Sequence, residues 1–238
     1  MWKNNNVAYF LKQLGYSYID LQTVSEKQKK YFSWSYIKRE LQTFLSDYYC
    51  MGHVFIDSWT PLYSILANFY HKTFRTHILK KLESLKKSTQ IKSPKFVYAH
   101  FINPHMPHVF DRNGNPLNID DSLPELEKNI YGHIEALQHI NKRIIECIDV
   151  ILKQSSTPPT IILQGDHGAV ITPINSANRY KILNAWHWPD GQGNLYQTMS
   201  PVNNFRLIFN HYFAMNLPLL KDESLYGPLG DGSFKKMN

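Results

Sequence analysis

Apolar residues recur along the chain at two periods, and the alternation between them defines the elements. Val7, Phe10, Leu11 and Leu14 fall at helical spacing, and Gly15 follows as a stop in the position just past a helix end. Tyr16 to Leu21 alternates aromatic and aliphatic residues like a strand. Glu26 to Asp47 returns to helical spacing through Tyr31, Phe32, Trp34, Tyr36, Leu41, Phe44 and Leu45. Thr60-Pro61 is a helix start, since proline at the first helical position gives up no needed donor. That helix runs to about Leu85, with Leu62, Ile65, Leu66, Phe69, Phe74, Ile78, Leu82 and Leu85 on its apolar side. Ser88 to Pro94 reads as a loop and Phe96 to Ile102 as a strand. Pro104 and Pro107 end that strand, because they deny the backbone regular pairing.

The strongest helical period lies in Leu123 to Lys153, carried by Leu126, Ile130, Ile134, Leu137, Ile144, Ile148, Ile151 and Leu152. Ser155 to Pro159 breaks it. Ile161, Ile162 and Leu163 then form a short apolar strand bounded by turn residues. Tyr180 to Ala185 reads as another strand, Pro189 to Asn194 as a glycine-rich turn, and Ser200-Pro201 as the start of a last helix through Phe205, Leu207, Ile208 and Tyr212. Strands alternating with helices predict an α/β fold, a mostly parallel sheet with helices on both faces.

Composition adds limits to this picture. A chain of 238 residues with 43% apolar and 19% charged residues can bury a core, and one domain over 1–238 is the expectation. No apolar run reaches the length of a membrane span, and the first residues lack a signal-peptide core. Cys50 and Cys147 have no metal-site spacing; they can pair or stay reduced, so they do not define a redox compartment. The formal charge is +7. Much of it lies in Lys72, Arg75, Lys80, Lys81, Lys86, Lys87, Lys92 and Lys95, against the single acid Glu83. Such a stretch is either a solvated helix face or a contact for an anionic membrane surface or polyanion. Nucleic acid is not an expected partner, because no zinc-finger spacing or RNA-binding motif is present.

Two predicted strand ends carry polar clusters. His105 and His108 follow one; Asp166 and His167, then Gly168, follow the other. Ligands of open α/β sheets bind outside the carboxyl ends of the strands. A carboxylate oxygen beside an imidazole nitrogen suits zinc or manganese rather than calcium or magnesium. Gly168 would let the backbone turn away so that both side chains face one point. Asp and His also cap turns, and a proline-framed histidine can simply bond to backbone. One inward imidazole is enough for a site, and His105 is taken as the candidate over His108.

The segment Lys95-Phe-Val-Tyr-Ala-His-Phe-Ile-Asn-Pro-His-Met-Pro-His-Val-Phe-Asp-Arg-Asn-Gly-Asn115 resembles a stretch of sulfatase-like membrane proteins in the alkaline phosphatase superfamily. There a strand leads into a His-x-Pro loop and a Phe-Asp-Arg turn. Ile161-Ile-Leu-Gln-Gly-Asp-His-Gly168 resembles the family's Asp-His-Gly metal motif. Arg179 to Ala185 and Ser200 to Phe209 resemble its closing strand and helix. The resemblance runs in order from about Asn5 to the C-terminus. It implies that Asp166 and His167 are metal ligands and that His105 contacts the anionic group of the substrate. Superfamily members, lipoteichoic acid synthases and phosphoethanolamine transferases among them, cleave or transfer phosphate and sulfate esters. An activated Thr, Ser or modified Cys attacks the ester while metal and cationic groups hold the developing charge. The resemblance further implies an extracytoplasmic domain of a membrane protein.

The chain also departs from the family pattern. The family's first metal carboxylate and its nucleophile lie in an upstream βα segment, and the match begins after it. Ser17, Thr23 and Ser25 have no strand–nucleophile–helix context, and Cys50 lacks the Cys-x-Pro-x-Arg signature. The expectation is therefore a partial sulfatase-like domain, incomplete as a catalyst by itself. The alternative is a non-catalytic interaction module that keeps the fold and docks to an anionic membrane surface or partner through its basic stretch.

Overall fold

The computed structural model describes residues 5–21, 61–120, 122–168, 176–191, 193–226, 233 and 235–237. The predicted helix Glu26–Asp47, together with Thr23, Ser25 and Cys50, lies outside the described residues. So do the side chains of Leu62, Ile65, Leu66 and Phe69. The fold is mixed α/β. Its described strands form three two-stranded sheets, one parallel and two antiparallel. The chain divides into two compact units, Met1–Val150 and Ile151–Asn238. Among the described residues no helix is long and apolar enough to cross a membrane.

The first unit opens with helix α1 (Asn6–Gln13). Asn5 caps it, its Oδ1 accepting from the backbone N–H of Val7 at 2.8 Å and of Ala8 at 3.4 Å. The C-terminal end closes as the sequence predicts. Gly15, at φ +83°, donates to Lys12 at 3.0 Å and Tyr16 donates to Leu11 at 3.0 Å, the paired bonds of a Schellman turn. Strand β1 (Ser17–Asp20) then runs parallel to β2 (Lys95–Tyr98), with Tyr18 paired to Phe96 and their rings stacked at 5.6 Å.

Helix α2 (Pro61–Lys87) starts at the predicted proline and extends two residues past the predicted end. Its Phe74, Ile78 and Leu82, one face at four-residue steps, meet Val109 and Phe110 from the chain after β2 and Ile140 and Cys147 from helix α3 (Glu125–Gln154). Leu85, Phe101 and Ile144 border this core.

The inner face of α3 is not the apolar stripe that its period predicts. Leu126, Ile134 and Leu137 stand 49%, 42% and 38% exposed, while Gly132, Glu135, Ala136, His139 and Ile140 are buried. Close approach and polar pairing decide the rotation. A Cβ on Gly132 would lie 2.5 Å from Cδ2 of His108, so glycine is what lets that ring sit against the helix. One helical turn on, the buried carboxylate of Glu135 accepts from the backbone N–H of Arg112 at 2.8 Å, from its Nε at 2.8 Å, and from its Nη2. The Arg112 guanidinium holds the Glu135 carboxyl below its ordinary range.

The second unit begins with the last turn of α3. Strand β3 (Ile161–Gln164) pairs antiparallel with β4 (Asn184–His187), in the register Ile161 to His187 and Gln164 to Asn184. Tyr180, the predicted start of a strand, instead ends a 3₁₀ turn over Ser176–Tyr180, and pairing starts only at Asn184. Pro201–Asn203 makes a 3₁₀ turn into helix α4 (Asn204–Phe213), as the Ser-Pro start predicts. Strands β5 (Ser224–Tyr226) and β6 (Lys235–Met237) pair antiparallel.

Leu82 is fully buried, so Leu82→Ala should lower the unfolding free energy by about 2–5 kcal/mol in urea denaturation. Glu135 has a depressed folded pKa, so its stabilising effect is present above its unfolded value, about 4.3, and is lost as pH falls through the folded value. Arg112→Gln should therefore lower the urea midpoint at neutral pH, and its deficit against the parent should shrink at acid pH; a deficit independent of pH would contradict this linkage.

Candidate functional site

Asp166 and His167 stand in the turn at the carboxyl end of β3, and backbone bonds on either side hold that turn. Gly165 donates to the carbonyl of Leu183 at 2.9 Å, and Gly168 donates to that of Arg179 at 2.8 Å. A Cβ on Gly168 would fall 1.8 Å from the Asn178 carbonyl oxygen. Glycine is therefore required by the close approach of two backbones, a different reason from the sharp turn expected of it.

The pair is locally ordered. The His167 N–H donates to Oδ1 of Asp166 at 3.0 Å, and Nδ1 of His167 lies 2.8 Å from the Gly168 carbonyl. A carbonyl only accepts, so the ring proton sits on Nδ1 and the lone pair on Nε2. That Nε2 is 3.7 Å from Oδ2 of Asp166, and the side chains are 41% and 80% exposed for His167 and Asp166. An oxygen and a nitrogen at this separation can both reach one ion at ordinary bond lengths of about 2.0–2.2 Å, with a wide tetrahedral angle. The donor set fits zinc or manganese, and the Nδ1–carbonyl bond is the usual outer-shell partner of a metal-binding histidine. Among the described residues no group of three or more His, Cys, Asp or Glu side chains is gathered as a metal site, so the pair supplies two ligands only.

Buried amides anchor the strand that carries the pair. Asn204, 1% exposed at the start of α4, donates through Nδ2 to Oε1 of Gln164 at 2.8 Å and to Oδ1 of Asn184 at 3.2 Å. Asn184 returns a bond from Nδ2 to Oδ1 of Asn204 at 3.2 Å, and the Trp186 indole donates to Asn184 at 3.2 Å. Gln164 and Asn184 are register partners, so this knot clamps both strands two residues before Asp166. Asn203, fully buried, ties the same helix start to Asp222, Tyr196 and the Leu220 carbonyl. Burial pushes the Asp222 carboxyl up, but hydrogen bonds from Ser200, Tyr196 and Asn203 outweigh it and leave the group below its ordinary range. Nothing in the residue pattern marks these amides as anchors beyond two adjacent asparagines after a Ser-Pro helix start.

His105 lies in the first unit, exposed on the loop after β2. Its Nδ1 is 2.7 Å from the Met106 carbonyl, which again places the ring proton on Nδ1 and leaves Nε2 free. His108 is the more inward of the two loop histidines. Its ring lies against Gly132 and edge-on to His133 at 6.1 Å. Burial lowers its pKa, and the neighbouring His133 lowers it further. Asp20 puts a carboxylate at the end of β1, on the same edge of the parallel pair, with no motif around it in the sequence. In the basic stretch, Lys81 donates to the His100 carbonyl at 2.8 Å, Lys86 pairs with Glu83 at 3.0 Å and Lys95 donates to the Ile91 carbonyl at 2.6 Å. Lys72, Lys80, Lys87 and Lys92 are exposed.

No family model, no curated protein and no solved structure matches the chain.

If Asp166 and His167 hold a metal, the protein should bind manganese or zinc in calorimetry, and Asp166→Ala should weaken that binding about tenfold or more. Equal binding by the two proteins would remove the assignment.

Proposed function

We propose that the chain is part of a sulfatase-like, metal-dependent hydrolase or transferase of the alkaline phosphatase superfamily, acting on phosphate or sulfate esters outside the cytoplasm. On this reading the parallel β1–β2 pair belongs to a mostly parallel sheet with helices on both faces. The observation that carries the proposal is the ordered Asp166–His167 pair, with Nε2 free and 3.7 Å from the carboxylate oxygen. A divalent ion bound there would polarise the ester oxygen and offset the charge that develops on it. Asp166 and His167 would hold the ion, and the Gly168 carbonyl keeps the imidazole in the required tautomer. His105, with Nδ1 engaged by Met106, would present Nε2 to an anionic oxygen of the substrate and, when protonated, donate a proton to a leaving group. Neither a nucleophile nor a further carboxylate ligand lies in the motifs that resemble the family, so the chain by itself is proposed to be an incomplete catalyst.

A second reading has its own support. The exposed Lys72, Lys80 and Lys87 on α2 and Lys92 in the following loop favour a non-catalytic module that docks to an anionic membrane surface.

Hydrolysis of p-nitrophenyl phosphate and sulfate with added manganese or zinc tests the first reading. A version extended upstream should turn over at least one ester in a metal-dependent manner, and this chain alone should show at most a trace. An inactive extended version, together with salt-sensitive cosedimentation of the chain with anionic vesicles, would replace the enzyme reading with the docking one.

A further inference from the structure

The chain between β2 and the Asp111–Asn115 turn is fixed at both of its ends. At one end Nζ of Lys81 donates to the His100 carbonyl at 2.8 Å. At the other, Val109 and Phe110 are buried in the core. Between these points the loop bonds chiefly to itself. The His105 N–H donates to the Ile102 carbonyl at 2.9 Å, and the His105 ring engages the Met106 carbonyl. Asn103 is buried, and neither its Oδ1 nor its Nδ2 has a hydrogen-bond partner among the described residues. The contact that seats the loop on α3 is the His108 ring, packed where a side chain at position 132 would collide with it.

That seat accepts an imidazole and opposes an imidazolium. A charged ring donates from both nitrogens, whereas a neutral ring can leave one of them bare. Nδ1 of His108 is buried with no hydrogen-bond partner among the described residues. A bare lone pair there costs less than the N–H of a cation without an acceptor, because unmet hydrogen bonds of charged groups carry the larger penalty. The groups around the ring do not offset the charge. His133 stands edge-on from α3 at 6.1 Å, and both it and His105 of the same loop oppose a positive charge on His108. Glu135, one turn further along α3, is taken up by Arg112. The Pro104 carbonyl favours a proton on His108, and it does the same for His133. One neutral oxygen is a weak counterpart to two neighbouring cations. Burial, reinforced by these neighbours, holds the His108 ring below its ordinary range.

We infer that His108 is an acid-released latch: neutral, it holds the Asn103–His108 loop on α3, and protonated, it leaves its seat and frees the loop, His105 with it. The latch needs neither metal nor ester, so it stands or falls separately from the function proposed above. His108 binds a proton less readily seated than free. The seat is therefore at full strength above the free value, about 6.5, and weakens as pH falls toward the seated value. Each pH unit in that interval favours release by up to about tenfold. The interval begins well above the ordinary carboxylate range, about 4.3 for a glutamate, so Glu135 still holds the Asp111–Asn115 turn when the latch opens.

Amide hydrogen exchange of the full chain at about pH 7.5 and about pH 5.5, corrected for the intrinsic rate at each, reads this release. Protection at His105, Met106 and His108 should fall severalfold, to a limit of about tenfold, while the amides of Ala136 to Ile140 in α3 keep theirs. His108→Phe fills the seat with a ring that does not titrate, and its loop should be equally protected at both pH values. An unchanged melting curve at the higher pH checks that this variant folds. The parent supplies a second readout independent of the variant: in proton–nitrogen spectra the His108 ring should titrate below a free imidazole, in step with the loss of loop protection.

Equal loop protection at both pH values in the parent would overturn the latch. A loss in His108→Phe as large as the parent's would overturn it too, placing the trigger on another group. A loss that runs on through α3 would mark unfolding of the unit in place of a local release, and a His108 ring that titrates at the ordinary value would show that the seat does not oppose the charge.

Discussion

Glu135 sits 2% exposed on the inner side of α3, and the packing of the first unit follows from what its carboxylate needs. A buried carboxylate without partners is strongly unfavourable, and no solvent is at hand to satisfy it. Arg112 supplies the partners, from backbone and side chain together. That requirement brings the Asp111–Asn115 turn down onto the helix. With Arg112 docked, Val109 and Phe110 immediately before it enter the core, each 1% exposed, and Phe110 presents its ring to His139. The Arg112 side chain itself stays 52% exposed, so its charge keeps contact with water while its donors face inward. The same constraint acts in the second unit through neutral groups: Asn203 and Asn204 are buried, and their amides tie α4 to the strands and to the Asp222 loop.

These polar anchors also set where chemistry is available. Near the Asn204 knot, β3 and β4 are held in register up to Gln164, and the next residues turn out to present Asp166 and His167. A two-residue motif on a free loop would sample many geometries. Here the Gly168–Arg179 bond and the Gly168 carbonyl restrict both the path of the backbone and the tautomer of the ring. In the first unit the docked turn brings Gly114 against the His139 ring, which stacks on Phe110.

Much of the local structure was legible in the residue pattern. Helical spacing located α1, α2, α3 and α4 to within a few residues, and Gly15, Pro61 and Pro201 marked their ends for reasons confined to one or two turns of backbone. The apolar run Ile161–Leu163 gave β3. The strand expected over Tyr180–Ala185 forms instead at Asn184–His187, since its start depends on the Gln164–Asn184 pairing and on Asn204, forty residues from Gln164 in the chain. The rotation of α3 was not legible. Counting apolar residues favours Leu126, Ile134 and Leu137, whereas Gly132, Glu135 and His139 face inward because of partners that lie more than twenty residues away in sequence, such as Arg112 for Glu135.

For the candidate site the division is the same. The residue order by itself determined that a carboxylate and an imidazole follow a short apolar strand, and that His105 follows another in a proline-framed loop, since adjacency along the chain is all those statements require. Only the tertiary structure decided which ring nitrogen each histidine leaves free, that the close approach of the Asn178 carbonyl leaves no room for a side chain at position 168, and that His108 packs inward against Gly132 while His105 faces water. Those outcomes depend on backbone groups brought together by folding, and a hydrogen bond of under 3 Å is decided by that approach rather than by the identity of the two residues it joins.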